Sequence, residues 1–378
     1  MAGAPVGEEE KMLLTEFDYN LPKERIALRP LPERDASRML LVDRARQVWE
    51  DRRFGELPEI VRGDELLVVN TARVLPARLL GRRKGVHART PGRHSRAQRE
   101  FLSSPIEVLL TRQLRPGVWE ALVRPGRKMR AGERVVFGEG ELEAEVVGRG
   151  DYGVRQLRFE SAEELSRVID RLGHVPLPPY IERPDEPEDR ERYQTVFARP
   201  GDPGTAAAAP TAGLHFTRGT LESLRARGVE ICEIQLHVGL GTFQPIHTEQ
   251  IESHRMHPES YEISETAAEQ IHRARREGRP ILAVGTTVVR ALEDSAQKKS
   301  GAGEELVGAG RQEAEIFIYP GRTFRVVDQM LTNFHLPKSS LLVMVAALAG
   351  REFILRAYAH AIHEKYRFYS YGDCMLIR

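Results

Sequence analysis

Two glycine-rich segments, each with one histidine, hold the residues best suited to chemistry in this sequence. Residues 206–216 read AAAAPTAGLHF and contain His215, whereas residues 236–243 read LHVGLGTF and contain His237. Glycine lets a backbone approach a ligand closely, and an imidazole beside it can exchange protons near neutral pH. Either segment alone is also typical of a structural turn. Because there are two, the sequence favours a small-molecule pocket built from loops. Neither segment fits the dinucleotide fingerprint or the P-loop pattern, so a cofactor bound here would not use the usual glycine-rich nucleotide turn.

Thr286 and Thr287 form a second candidate, an anion-binding site. They follow a short apolar run and open a predicted helix, where backbone N–H groups at the helix start attract a phosphate or a carboxylate. Simple capping of the helix by the threonines is the alternative. Arg290, one turn further on, is expected either to face this pocket or to form a solvated ion pair with Glu293.

His254, His257 and Glu259 resemble metal ligands, because two histidines three residues apart with a carboxylate nearby can bind zinc. Pro258 breaks any helix after the second histidine, and no third histidine stands at a familiar ligand spacing. We therefore predict hydrogen bonding or proton transfer at these residues and no metal, with a zinc site as the alternative.

Two later segments combine polar and aromatic groups. Asn333 and His335 lie in NFHLPK, a loop before a predicted helix, and loops at sheet ends often hold ligands. A structural turn is equally compatible with this pattern. Tyr371 lies in YRFYSYGD near the C-terminus, whose rings can stack on bases or pack in the core.

Composition excludes several classes of protein. The chain has 378 residues, 41% hydrophobic and 29% charged, which indicates a soluble globular protein with two domains. Its two cysteines, Cys232 and Cys374, provide neither a disulfide framework nor a cysteine-rich zinc site. With 56 basic and 55 acidic residues, any contact with nucleic acid must depend on local basic patches. No signal peptide or membrane-spanning run is recognised, so a cytoplasmic location is expected.

The pattern of predicted elements indicates an α/β core domain with an inserted small all-β barrel domain. Short β-type runs alternate with turns in the middle of the chain. Elsewhere strands such as Ile281–Val284 and Ile316–Tyr319 alternate with helices capped at Ser264 and Ser339. The predicted domains are a discontinuous catalytic domain of residues 1–70 and 159–378 and an inserted domain of residues 71–158.

Residues 82–104 form an arginine-rich stretch within the inserted domain. This stretch lacks hydrophobic periodicity, so we predict a basic mobile loop. It is either a tolerated insertion or an arm that contacts RNA phosphates.

A set of collinear motifs between residues 17 and 377 resembles one family, the S-adenosylmethionine:tRNA ribosyltransferase-isomerases of queuosine biosynthesis. Each motif is moderately specific, and the ordered set is highly specific. The chain departs from the family pattern at Thr71 and Ala72, after a matching Asn70. The segments that carry the resemblance are FDYNLP, LRPLPERDASRML, ARVLPARLLGR, GHVPLPPYIERPDEPEDRERYQTVFA, AAPTAGLHFT, LHVGLGTFQPI, HRMHPESYEI, AVGTTVVRALE, FIYPG, TNFHLPKSSLLVMVAALAG and EKYRFYSYGDCMLI.

The resemblance implies both a reaction and its substrates. The ribosyl part of S-adenosylmethionine would be transferred and isomerised onto 7-aminomethyl-7-deazaguanine at the wobble position of tRNA. The products would be epoxyqueuosine-tRNA, adenine and methionine. S-adenosylmethionine is then a consumed substrate, so that no cofactor is expected. The implied partners are S-adenosylmethionine and the precursor tRNA, with no membrane, and the protein is expected to be a monomer.

This reaction needs a base, an acid and close positioning of two large substrates. The sequence does not distinguish the base from the acid. The predicted catalytic residues are His215, His237, His257, Glu259 and His335. The predicted substrate-binding residues are Asn70, Arg73, Pro210, Thr211, Ala212, Gly213, Gly239, Gly241, Thr242, Phe243, His254, Thr286, Thr287, Arg290, Asn333 and Tyr371.

Three rival functions compete with the one that the resemblance implies. A methyltransferase would use the same S-adenosylmethionine but lacks its usual glycine motif here. A metal-dependent hydrolase would use His254, His257 and Glu259. A non-catalytic RNA-binding module would bind tRNA without consuming S-adenosylmethionine, and the near-neutral charge argues against it.

Overall fold

A computed structural model describes most of the chain, and its contacts divide the chain into two compact units. The larger unit contains residues 1–70, 211–236 and 241–378, and the smaller unit contains residues 71–210 and 237–240. None of the helices within the described ranges is long and apolar enough to cross a membrane. The described residues are 11–84, 105–150, 153–199, 208–239, 246–299 and 306–378.

Strands and helices alternate in the larger unit, whereas consecutive strands dominate the smaller one. The strands are β1 (Arg38–Asp43), β2 (Val48–Arg53), β3 (Leu66–Asn70), β4 (Arg78–Arg83), β5 (Pro105–Arg115), β6 (Val118–Arg124), β7 (Arg134–Phe137), β8 (Leu142–Arg149), β9 (Val154–Phe159), β10 (Glu230–Leu236), β11 (Glu259–Ile263), β12 (Ile281–Val284), β13 (Gly310–Ala314), β14 (Gln329–Asn333) and β15 (Cys374–Ile377). The helices are α1 (Leu57–Ile60), α2 (Ala162–Leu172), α3 (Asp189–Arg192), α4 (Arg218–Ala226), α5 (Glu265–Arg276), α6 (Thr286–Lys298), α7 (Ser340–Ala349) and α8 (Arg351–His363).

Strands β4 to β9 close into an antiparallel barrel in the order β4-β5-β6-β9-β8-β7. Apolar residues alternate with polar ones along these strands and fill the barrel interior. Helix α2 adds Leu165, Val168 and Ile169 to this core. The backbone of His174 also pairs with that of Arg78. These contacts explain why the smaller unit continues beyond residue 158, where the sequence places the end of the inserted domain.

The larger unit is built on a nine-stranded sheet in the order β13-β11-β10-β3-β12-β14-β15-β1-β2. Its central strands β10, β3, β12 and β14 are parallel. Strands β3 and β12 are fully buried, as expected for parallel strands covered by helices. Ser264 and Ser339 cap α5 and α7 with side-chain bonds, as predicted. The α/β domain and the separate all-β barrel confirm the predicted fold class.

Two local predictions need correction. Ile316–Tyr319 is not a strand, because the backbone N–H groups of Glu315 and Ile316 donate to the Asp294 carboxylate at 3.0 and 3.3 Å. The chain therefore leaves the sheet after β13. The basic loop predicted for residues 82–104 is wrong at its first two residues, because β4 extends through Arg83. Residues 85–104 lie outside the described part of the chain.

Candidate active site at the carboxyl edge of the sheet

The parallel strands β3, β10, β12 and β14 end at one edge of the sheet, which we call the carboxyl edge. Strand β11 runs antiparallel to β10 and strand β15 runs antiparallel to β14, so both begin at this edge. Asn70 and Asn333 end β3 and β14, and Glu259 begins β11. Strand direction thus brings together residues that are far apart in sequence, at the edge where open α/β sheets bind ligands.

The start of α6 lies at the carboxyl edge. Gly285 turns the chain from β12 into α6 with a φ of 91°, which favours glycine. The first N–H groups of a helix have no partner within the helix, and the N-cap residue Gly285 provides no side chain to cap those of Thr286 and Thr287. Asn70 ties the end of β3 to the end of β10, because its Nδ2 donates to the Leu236 carbonyl at 2.9 Å and its Oδ1 accepts from the Leu236 N–H at 3.0 Å. Its Nδ2 also lies 3.5 Å from Thr287 Oγ1.

Arg290 projects from α6 into a buried ion pair with Glu259. Both residues are 4% exposed. The Nη2 group of Arg290 also donates to the carbonyls of His257 at 2.6 Å and Ala314 at 2.9 Å. The alternative pairing with Glu293 is not formed, because the Glu293 carboxylate accepts the backbone N–H groups of residues 325–327. Arg290 therefore holds α6 to the ends of β11 and β13.

A small pocket within the larger unit joins these features. It brings together four predicted residues, Glu259, Thr286, Thr287 and Arg290. Because residues 316–319 were predicted to form a strand, they were not expected to line a pocket. The apolar pattern of α7 is that of an ordinary packed helix and does not indicate a ligand. The residues that the sequence analysis missed are Met256, Ile316, Phe317, Ile318, Ser340, Leu341 and Met344.

His215 ends a short helical turn, Thr211–His215, and is 3% exposed. Its Nε2 accepts from Asn333 Nδ2 at 3.1 Å, and its Nδ1 lies 2.8 Å from Ser37 Oγ. Because an amide NH₂ only donates, Nε2 is unprotonated and Nδ1 carries the ring proton. The ring packs 5.4 Å from that of Phe54. Both ring nitrogens are thus engaged by protein side chains, and the catalytic role of His215 stays a prediction.

Burial sets the protonation state of two predicted catalytic histidines. It lowers the pKa of His215 to about 3, with smaller contributions from the charges of Arg367 and Arg34. It also lowers the pKa of His335 to about 3. His335 Nε2 lies 2.8 Å from Thr332 Oγ1. Both imidazoles are therefore neutral at physiological pH.

Acid is expected to destabilise the larger unit through these two imidazoles. Their native pKa values of about 3 lie below the unfolded value of about 6.5, so the unfolded chain takes up protons first as the pH falls. Their stabilisation is complete above pH 6.5 and is lost on the way down to pH 3. At pH 4.5 each histidine should cost about 2–3 kcal/mol. Urea unfolding of His215→Gln and His335→Gln should show a weaker pH dependence than the parent, and unchanged profiles would contradict this assignment.

His254 and His257 lie beside the pocket, close in sequence to Met256, which lines it. His254 is half-buried, with its ring 5.0 Å from that of Phe317. Partial burial and then the charges of His257, His247 and Arg290 lower its pKa. His257 is exposed and contributes its carbonyl to Arg290. The described ranges contain no group of three or more His, Cys, Asp or Glu side chains placed to hold a metal ion.

The remaining predicted residues are spread over both units. Thr211, Ala212, Gly213 and the buried Tyr371 belong to the larger unit. Four others belong to the smaller unit: Arg73, Pro210, His237 and Gly239. Of these, Arg73 is exposed. Three lie outside the described residues: Gly241, Thr242 and Phe243.

Comparison with known proteins defines the class. The family profile described as queuosine biosynthesis protein matches residues 14–377, so the chain belongs to this family. It is 52% identical to the S-adenosylmethionine:tRNA ribosyltransferase-isomerase of Solibacter usitatus over 368 residues, which cover 97% of this chain and 100% of that relative. It is 49% identical to the enzyme of the same name from Symbiobacterium thermophilum over 366 residues, with coverages of 97% and 100%.

A solved structure also supports the fold. The crystal structure of an S-adenosylmethionine tRNA ribosyltransferase from Thermotoga maritima matches with a TM-score of 0.50 and 34% identity, covering 96% of this chain and 100% of that chain. The chain is therefore an enzyme of queuosine biosynthesis, with transferase and isomerase activity. The family and the enzyme class predicted from the sequence are confirmed.

Proposed function

We propose that the enzyme transfers and isomerises the ribosyl moiety of S-adenosylmethionine onto 7-aminomethyl-7-deazaguanine at the wobble position of tRNA. The products are epoxyqueuosine-tRNA, adenine and methionine. The observation that carries this proposal is the family match over residues 14–377, combined with a pocket at the carboxyl edge of the sheet. S-adenosylmethionine is the consumed substrate and no cofactor takes part. We propose a cytoplasmic monomer, which size-exclusion chromatography with light scattering would test.

The sulfonium group of the substrate determines the order of the chemistry. It acidifies the ribose C5′ protons, and a base removes one of them. Adenine leaves with a proton from an acid, and the neutral aminomethyl nitrogen attacks the sugar. An epoxide then forms as methionine departs. Each proton transfer by a positioned group contributes on the order of 10²–10⁴-fold.

We place the methionine carboxylate of the substrate at the start of α6. The N–H groups of Thr286 and Thr287 and the hydroxyl of Thr286 can donate to a carboxylate there. The wall formed by Phe317 and Met344 suits the apolar part of the ligand. Arg290 is already engaged by Glu259, and it therefore acts as a positioning residue.

The proton-transfer groups are proposed from the solvent exposure of the histidine side chains. His254 and His257 border the pocket region and reach solvent, so they can exchange protons. His237, half-buried in the smaller unit, stays a further candidate. His215 and His335 are buried. Side chains engage both ring nitrogens of His215 and the Nε2 of His335, and we assign both residues a positioning role.

A labelling experiment tests the proposed function. The protein is incubated with S-adenosylmethionine labelled in the ribose and with tRNA carrying the deazaguanine precursor. Label should enter the RNA, whereas a matched tRNA with guanine at the wobble position should stay unlabelled. Absence of label from the precursor tRNA would overturn the proposal.

The carboxylate site predicts a specific effect of Thr286→Val. This change keeps the shape of the side chain but removes a hydroxyl from the anion site. A hydrogen bond to a charged group is worth about 1.5–3 kcal/mol, so the KM for S-adenosylmethionine should rise at least about tenfold. Thr286→Ser, which keeps the hydroxyl, is the control. KM is measured by steady-state kinetics with saturating tRNA. Equal KM values for the two variants would refute the placement of the methionine carboxylate at the start of α6.

A further inference from the structure

The barrel carries a second positively charged segment, which is separate in sequence from the arginine-rich stretch at 82–104. Residues 121–132 read ALVRPGRKMRAG and contain four cations and no acid. Arg124 ends β6, and Arg127, Lys128 and Arg130 follow in the turn to β7. All four side chains are exposed. We call this segment, Arg124–Arg130, the basic turn.

The arginines of the basic turn are not neutralised by the described part of the barrel. The ion pairs there use other cations, including Arg78, Arg134 and Arg158. Glu107 stands opposite Arg124 in the sheet register, but its carboxylate accepts from Arg78 Nε at 2.8 Å. Within the described ranges no ion pair includes Arg124, Arg127 or Arg130. Their positive charge therefore faces solvent.

A buried arginine holds the basic turn in one conformation. Arg155 is 4% exposed. Its Nε donates to the Met129 carbonyl at 2.7 Å, its Nη2 to the Gly126 carbonyl at 2.5 Å and its Nη1 to the Val154 carbonyl at 2.7 Å. Burying a guanidinium to brace a surface turn is costly, and it yields a preorganised array of exposed cations.

The strand register places another cation nearby. Arg149 ends β8 and stands opposite Arg155 in the sheet, and its charge contributes, after burial, to a lowered pKa of Arg155. The Val123 N–H donates to the Gly153 carbonyl at 3.5 Å, so Gly153, just before β9, lies at the same end of the barrel as the basic turn. Positive charge is thus concentrated in a protein whose net charge is +1.

From this array we propose that the basic turn is an RNA-backbone contact, in which Arg124, Arg127 and Arg130 bind phosphates of the tRNA substrate. This inference rests on the proposed function for the identity of the RNA. Guanidinium groups suit phosphodiesters because they donate in a planar fork. The one large apolar side chain of the turn, Met129, is fully buried, so the turn offers nothing to insert into a lipid surface. An RNA is therefore favoured over an anionic membrane.

The test is the salt dependence of binding to unmodified tRNA, which requires no chemistry. The variant Arg124→Gln/Arg127→Gln/Arg130→Gln should bind on the order of tenfold more weakly, and the slope of log K against log salt should fall by about 2–3, at about 0.7–0.9 per phosphate contact. The control, Arg112→Gln/Arg134→Gln/Arg158→Gln, removes the same charge at ion-paired positions of the barrel. Its slope should change by less than about 1.

Single variants keep the test valid if the triple variant folds poorly. Arg127→Gln and Arg130→Gln should each lower the slope by about 0.7–0.9. Equal slopes for the parent and the basic-turn variants would overturn the inference, even if the parent labels precursor tRNA. A loss of binding to phosphatidylserine vesicles with an unchanged tRNA slope would also overturn it. If the variants lower the slope as predicted but the parent labels no RNA, the RNA-backbone contact would be supported and the proposed function would be wrong.

Discussion

Replacing Arg290 with methionine should lower the free energy of unfolding by about 3–5 kcal/mol and abolish activity. The change strips the buried Glu259 carboxylate of its cation, and breaking a buried ion pair from one side is costly. The carbonyls of His257 and Ala314 lose a donor at the same time. Urea unfolding of the purified variant measures the loss.

Two controls separate the buried charge from a general effect. Arg158→Met removes an arginine from an exposed pair with Glu145 and should change stability by less than about 1 kcal/mol. Adding Glu259→Leu to Arg290→Met removes the orphaned carboxylate and should restore much of the stability. A single Arg290→Met variant as stable as the parent would show that the pair does not hold α6 in place.

Asn333→Asp should invert the pH dependence of stability. The amide Nδ2 donates to His215 Nε2 and the Tyr369 carbonyl, each at 3.1 Å, and lies 3.4 Å from the Asp373 carbonyl. A carboxylate in that place faces acceptors only, and at pH 8 it should cost about 3–5 kcal/mol as a buried uncompensated charge.

Protonation of His215 should relieve this cost. The new carboxylate favours the imidazolium, so the pKa of His215 should rise from about 3 to above 6.5. A group whose pKa is higher in the native state than in the unfolded chain stabilises the fold at pH values below its unfolded pKa. This stabilisation is lost as the pH rises. The variant should therefore gain stability between pH 8 and pH 5, where the parent loses it. Histidine NMR titration measures the pKa of His215, and urea unfolding at pH 8 and pH 5 measures the change in stability. The double variant Asn333→Asp/His215→Gln is the control. A variant that loses stability in acid like the parent would contradict the described contacts.

Local sequence patterns were sufficient for much of the fold. The interval Ile281–Val284 is a strand, and Ser264 and Ser339 cap α5 and α7, because apolar periodicity and capping residues act within a few positions. The end of the smaller unit was not predictable in this way. It depends on α2 packing into the barrel core, a contact between segments that no local pattern links.

The site depends even more on distant partners. His215 meets Ser37 and Asn333, which are 178 and 118 positions away, and a glycine-rich turn looks the same with a ligand histidine as with a buried one. Arg290 has Glu293 one turn away but pairs with Glu259 across the sheet edge. The order of the strands in the sheet determines which partners His215 and Arg290 meet.

The basic turn shows a different limit. Its four cations are visible in the sequence, but so are those of the longer arginine-rich stretch at 82–104. Whether a cation is exposed or neutralised depends on cross-strand neighbours, as with Glu107 and Arg78. The brace from Arg155 is equally invisible without the barrel.

The stoichiometry of a single turnover tests the central claim most directly. Enzyme in excess over precursor tRNA is mixed with S-adenosylmethionine, and adenine, methionine and the modified nucleotide are quantified together by chromatography and mass spectrometry. We predict one adenine and one methionine for each modified nucleotide. Formation of S-adenosylhomocysteine in place of adenine would mean methyl transfer, and it would contradict a reaction that consumes the ribosyl group.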